Sequence, residues 1–254
     1  MSAEPVRTAT LLATLVIPPR FCGPPGSGNG GYVAARLAAL AGIRGTAEVT
    51  LRRPTPLATP LRVVADGASA ALETPDGERL AEVRAVEAPL PSERPALPLA
   101  AVPAPLERPE HPVPGCFGCG PAHAGGLRIL PAPVAGTRGV AARWTPPCEF
   151  AGPDGRVDPA VVWAALDCPG WFALHGASPL QRMLLGRITA SVGPVQAGAP
   201  CVVVAWPLAS EGRRHHAATA LLDAAGRVVA RSRQVWIAPR AEERASGGRA
   251  AASA

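Results

Sequence analysis

The sequence predicts an α+β chain of two similar halves, each an antiparallel sheet wrapped round one central helix. Three observations carry that expectation: an internal repeat, a series of short β-like segments in each half, and a proline-rich stretch between the halves. Residues 21–37 align without a gap on residues 150–166. Phe21 meets Phe150, Gly23 meets Gly152, Pro24 meets Pro153, Gly26 meets Gly155, Ala35 meets Ala164 and Leu37 meets Leu166. Further on, residues 77–86 echo residues 226–235 in the same order. One such match could arise by chance in a chain so rich in Ala and Gly, but two in the same order argue for a true repeat.

Taken in order, the first element is the apolar stretch Thr10 to Ile17, which reads as a strand ending at Pro18-Pro19. It is too short to span a bilayer and lacks a basic leader, so no membrane segment is expected. A Gly/Pro-rich loop follows, then a helix from about Gly30 to Ala41. Extended segments come next at 47–52, 61–65, 68–74 and 78–86, the last two joined by a Pro75-Asp76-Gly77 turn. Nine prolines in residues 88–114 exclude a sheet interior, so 89–114 reads as an extended linker between halves at 1–88 and 115–240. In the second half strands are predicted at 127–130, 139–144, 187–192, 201–209, 214–222 and 227–237, with a helix from Pro159 to Leu174. The small, polar residues 241–254 read as a disordered tail.

Composition narrows the function classes. With 48% apolar residues the chain can bury a sizeable core. All 25 basic side chains are arginine, the mark of a GC-rich coding sequence, and they are scattered among 19 acids to leave a net charge of +6. No basic run carries interleaved aromatics, which argues against nucleic acid as a partner. Six cysteines show no disulfide framework, so a cytoplasmic protein is expected. Cys116 and Cys119 form a C-x-x-C pair with His123 nearby. Cys148 is the only later ligand in reach, and ordinary loop cysteines with no metal and no cofactor are the expectation. Residues 23–31 look superficially like a phosphate loop but lack the Gly-Lys-Ser/Thr ending. Arg213-Arg214-His215-His216 could meet a ligand's phosphates, or could simply be a solvated turn.

The second helix holds the most informative residue. Asp158-Pro159 is a strong start signal, with a capping carboxylate and a proline that fits the first helical position. From Pro159 to Leu174 the helix is apolar on every face, and Asp167 is its only acidic or basic residue. A carboxylate in that setting is costly to desolvate, and burial would raise its pKa toward the range useful for proton transfer. Pro169 cannot donate to the carbonyl of Ala165, so a kink or an end is predicted near Asp167. Cys168, beside it, reads as a small buried apolar residue. In the first half Asp167 corresponds to Ala38 and Asp158 to Asn29. The two helix starts are therefore unequal: one has glycines and no acid, the other an acid and a Pro start. Asp167 is expected to work with the amides of Gly30 and Gly31, while the site combining Pro159 with Ala38 should be inert.

These residues resemble the hotdog-fold thioesterases, particularly the phenylacetate-pathway type, which carry a His-Gly-Gly helix start and an acid seven residues after the second Gly. Asn29-Gly30-Gly31 stands at that start and Asp167 at the acid position of the other half. Cys116-Phe117-Gly118-Cys119-Gly120-Pro121, followed by Gly126-Leu127-Arg128-Ile129, is similar to the opening of a hotdog domain. The resemblance implies a double hotdog with one acyl-thioester site, Asp167 serving as nucleophile or general base and Asn29, Gly30 and Gly31 forming the oxyanion and substrate-binding side. It implies acyl-CoA or an acyl-carrier thioester as the partner, and it allows a homodimer of such chains. Asn29 departs from the family's His, and Asp158-Pro159-Ala160 from its His-Gly-Gly. A non-catalytic thioester binder is the alternative; a hotdog hydratase or dehydratase would want a His that neither helix start supplies.

Overall fold

The computed structural model describes residues 10–87, 90–91, 102–106 and 110–240. The predicted tail at 241–254 and much of the predicted linker lie outside these residues. Among the described residues eleven strands form one continuous sheet: β1 Leu11–Leu15, β2 Ala47–Leu51, β3 Leu61–Asp66, β4 Ser69–Glu73, β5 Arg79–Ala85, β6 Ala132–Pro133, β7 Val140–Trp144, β8 Leu184–Val192, β9 Cys201–Glu211, β10 Arg214–Leu222 and β11 Val228–Ile237. The two separate sheets expected do not occur, because β2 of the first half pairs with β8 of the second. Two helices, α1 Gly30–Leu40 and α2 Pro159–His175, pack against it. The sheet order is β1-β3-β4-β5-β2-β8-β11-β10-β9-β7-β6, and every pairing is antiparallel. Read outward from the β2–β8 seam, where Ala47 faces Ala190 and Thr50 faces Arg187, five strands follow the same order on both sides, and β6 is an extra strand at one edge.

The period of two that defines a half-buried strand explains how the sheet finds its core. In β9, Cys201, Val203 and Ala205 join the main core under the helices, while Val202 and Val204 face a smaller cluster on the other side. Ala217 and Leu221 of β10 point inward, and Ala220 and Leu222 outward. Val102 covers that outer cluster with Val134 and Ala141. Within the proline-rich stretch, Val102 thus packs on the outer face of the sheet.

The sequence repeat is a repeat of geometry. Gly23 N–H donates to Ser27 O and Gly152 N–H to Arg156 O, both at 2.8 Å. Asn29 N–H reaches Phe21 O at 2.8 Å, and Asp158 N–H reaches Phe150 O at 2.9 Å. Gly26 and Gly155 both take φ of 73°, a left-handed turn that favours glycine in each loop. The hairpin turns agree likewise: Thr74 N–H to Glu78 O at 2.9 Å and Asp223 N–H to Arg227 O at 3.0 Å.

Two further expectations are corrected. Leu127 to Leu130 is not a strand; a short pair at Ala132–Pro133 takes the edge instead. Arg128 adopts φ of 51°, which breaks strand geometry, and the amides of Leu127 and Ile129 donate to Phe117 O and Gly118 O at 2.7 and 3.0 Å. Of the kink or end expected near Asp167, the end does not occur: α2 runs through Pro169 to His175, within one residue of the predicted Pro159–Leu174. Gln234, fully buried on β11, donates from Nε2 to Leu166 O at 2.6 Å and so ties α2 to the sheet beside Pro169. A side chain at position 170 would overlap Gln234, which is why the turn carries Gly170 there.

Candidate functional site

The site forms where the start of α1 meets the middle of α2. The helices lie antiparallel: Gly31 opposes Trp163 and Asp167, and five residues later Arg36 approaches Asp158 at 3.8 Å. Contact this close needs glycine. A Cβ on Gly31 would overlap Trp163 O and stand 2.9 Å from Asp167 Cβ. At Gly30 a Cβ would meet Leu185 Cδ2 at 3.0 Å, Leu51 Cδ1 at 3.1 Å and Asp167 Oδ2 at 3.4 Å, so two leucines of the β2–β8 seam crowd the same glycine as the carboxylate.

Asp167 Oδ2 accepts a hydrogen bond from Gly31 N–H at 2.9 Å, across 136 residues of chain. Asp167 is only 3% exposed, and its Oδ1 is buried with no hydrogen-bond partner among the described residues. Burial raises the carboxyl pKa from 3.8 to about 7, against the Gly31 amide, which favours the charged form; nearby Cys116 raises it a little further, and the Asn29 amide lowers it. A group poised there can take and return a proton near neutral pH.

Asn29 caps α1: its Oδ1 accepts from Tyr32 N–H at 3.0 Å, which leaves the Gly31 amide for Asp167. Its Nδ2 points to Cys116 Sγ at 3.9 Å. At the corresponding start of α2, Asp158 Oδ1 caps Ala160 N–H at 2.8 Å, and the position matching Asp167 is the buried Ala38.

Beside Asp167 the fold gathers three buried cysteines, Cys116, Cys119 and Cys168, whose sulfurs all lie within 4.8 Å of one another. The thiols of Cys119 and then Cys168 hold Cys116 well below the usual thiol range, while proximity to Cys116 and burial push both of them up. The sequence showed the C-x-x-C pair but not its third member, because Cys168 sits on a helix far along the chain. Cys148 is exposed and outside this group. Gln234 was also missed, although two polar residues, Ser232 and Gln234, at alternate positions of an apolar strand were a usable signal.

Two open depressions occur elsewhere: one of about 460 Å³ lined by Glu211, Arg213, Arg214 and Ile237, and one of about 380 Å³ along Pro194–Gln196 and Asp223–Arg227. Neither is lined by Asp167, Asn29, Gly30 or Gly31. No helix among the described residues is long and apolar enough to cross a membrane.

No protein-family model matches the chain, and no curated protein sequence does. Solved structures do. A candidate thioesterase II from Thermobifida fusca is 16% identical, with a TM-score of 0.59 over 91% of this chain and 95% of its own. The tesB protein of Mycobacterium avium subsp. paratuberculosis is also 16% identical, with a TM-score of 0.59 over 89% and 92%. A protein of unknown function with a hot dog fold from Alicyclobacillus acidocaldarius is 13% identical, with a TM-score of 0.54 over 85% and 88%. At such identities the likeness is one of fold, and the chain has the hot dog fold, an α+β architecture.

Proposed function

We propose that the chain is a double hotdog, with halves at residues 1–88 and 115–240, that hydrolyses an acyl thioester at one asymmetric site. Acyl-CoA or an acyl-carrier thioester is the substrate class. The observation that carries this is the 2.9 Å hydrogen bond from Gly31 N–H to a buried Asp167 whose pKa lies near 7. The thioesterase names borne by solved structures of this fold point the same way. In the reaction the thioester carbonyl oxygen replaces Asp167 Oδ2 as acceptor of the Gly31 amide, at the positive end of α1. Asp167 takes a proton from a water that attacks the carbonyl carbon, and the tetrahedral intermediate collapses to the acid and a thiolate, which recovers the proton. Attack by the carboxylate itself, followed by hydrolysis of the mixed anhydride, uses the same geometry. Leu51 and Leu185, packed against Gly30, would line the acyl or thiol arm.

One observation favours the alternative, a thioester binder without turnover: Asp167 is nearly inaccessible and already occupies the amide that an oxyanion would need. Hydrolysis of a panel of acyl-CoAs by the wild type and Asp167→Asn separates the two. Turnover should rise with pH through about 7 as Asp167 loses its proton, and the substitution should lower it by roughly 10²–10⁴-fold. Activity unchanged by the substitution removes Asp167 from the chemistry. Binding without turnover for every substrate supports the binder.

A further inference from the structure

We infer that Cys116, Cys119 and Cys168 form a three-thiolate site for a thiophilic d¹⁰ metal ion, Zn(II) or Cu(I), which fastens the 116–119 loop to α2 one residue from Asp167. The separation of Cys116 Sγ from Cys168 Sγ is 3.7 Å, and all three sulfurs fall within 4.8 Å of one another. Sulfurs bound about 2.3 Å from one ion stand about 3.8 Å apart in a tetrahedral arrangement and about 4.0 Å apart in a trigonal one. The cluster therefore needs little movement to close on an ion. All three residues are 5% exposed or less, a setting in which thiolates are stable only with a cation or donors to compensate them.

The surroundings are built for charged sulfur. The backbone N–H groups of Gly118 and Cys119 turn toward Cys116 Sγ, and Asn29 Nδ2 approaches it at 3.9 Å. Such outer donors orient and stabilise metal-bound thiolates. The loop reaches α2 only because position 118 is glycine: a Cβ there would stand 2.9 Å from Cys168 Sγ and 3.2 Å from Ala164 O. Phe117 N–H to Cys22 O at 2.8 Å and Ile129 N–H to Gly118 O at 3.0 Å hold the loop from the other side. Soft thiolate sets select Zn(II) and Cu(I) over hard cations. No fourth His, Cys, Asp or Glu donor joins the set among the described residues. Three-coordinate Cu(I) is satisfied as it stands, and Zn(II) would add one exchangeable donor. Each ligating thiol gives its proton to solvent on binding. The sequence favoured unliganded cysteines because a four-ligand site wants a second pair at suitable spacing; the fold adds Cys168, a third sulfur that spacing did not reveal, rather than Cys148.

The full chain, reduced and held without oxygen, is titrated separately with Co(II), as a spectroscopic stand-in for Zn(II), and with Cu(I) under a competing chelator. Native mass spectrometry and the thiolate-to-metal charge-transfer band report binding. One ion per chain is expected, with the band intensity of three thiolates. Cys119→Ser and Cys168→Ser should weaken binding by at least the 10–100-fold that losing an outer partner costs, while Cys148→Ser and Cys201→Ser leave it unchanged. If a ligand variant fails to fold, the stoichiometry and band intensity of the wild type still decide. Binding no tighter than about 1 μM for both ions overturns the site. So does binding that survives Cys168→Ser, or a pair of the three thiols that forms a disulfide on oxidation while the reduced chain takes up no metal.

Discussion

The two helix starts share one loop geometry yet differ in where their amides go. At α2 the capping carboxylate of Asp158 takes the Ala160 amide itself, so that helix end is closed by its own residue. At α1 the capping Asn29 reaches one residue further, to Tyr32, and the Gly31 amide is taken by a carboxylate from the other helix. A satisfied start has nothing left to offer a ligand. An exchangeable one does, because its present acceptor is a side chain whose charge changes near neutral pH. Small differences in cap chemistry thus turn two equivalent positions into one candidate site and one structural join.

The largest stability effect expected to test this contrast concerns Asp167. Its folded pKa, about 7, stands above the ordinary 3.8, so the protonated form is the one the fold favours. The native state is most stable relative to the unfolded chain below about pH 4 as far as this group is concerned, and that advantage is lost as pH rises through about 7. The gap corresponds to roughly 4 kcal/mol. Asp167→Asn keeps an acceptor for Gly31 and removes the charge, so it should stabilise the fold at pH 8, with a gain that shrinks steadily toward pH 4. Urea unfolding at several pH values reads this directly. A gain that does not vary with pH would mean that Asp167 is not held in a desolvated state.

The next effect is steric. Gly31→Ala forces a Cβ against Trp163 O and Asp167 Cβ, and should cost about 1–3 kcal/mol. Ala160→Gly, its counterpart, removes one methyl from a helix and should cost about 1 kcal/mol at most. Equal losses in thermal unfolding would show that α1 and α2 do not meet at Gly31.

The smallest effects separate the caps. Asn29→Ala and Asp158→Ala should each cost about 1 kcal/mol of stability. Only Asn29→Ala should also move the pH midpoint of the Asp167 effect upward, because the Asn29 amide helps to hold that carboxylate charged. A shift of the same size in Asp158→Ala would break the distinction between the two starts.

Much of this was legible in the chain itself, for local reasons. Asn29 and Asp158 sit at cap positions before apolar runs, so the helix starts fall at Gly30 and Pro159 as the cap signals indicate. Strands such as β9 and β10 declare themselves by alternation or by continuous apolar runs, and the repeated Gly26 and Gly155 mark turns whose backbone demands glycine. Where local signals misled, a distant partner had overridden them. Leu127 to Leu130 has the composition of a strand, but its amides are claimed by Phe117 and Gly118. Pro169 leaves the Ala165 carbonyl without its helical donor, yet α2, buried against the sheet, runs on to His175.

By itself the sequence determined the repeat, the two helices, and the presence of one acid at a position where the other half has alanine. These follow from periodicity, capping and composition, all properties of neighbouring residues. The tertiary structure decided that Gly31 is the amide that meets Asp167, that Leu51 and Leu185 stand beside Gly30, and that Cys168 completes a cluster with Cys116 and Cys119. Those contacts join residues tens to more than a hundred positions apart, where spacing carries no geometric information. Only the packing of two helices against one continuous sheet fixes which atoms come within hydrogen-bonding or ligand distance.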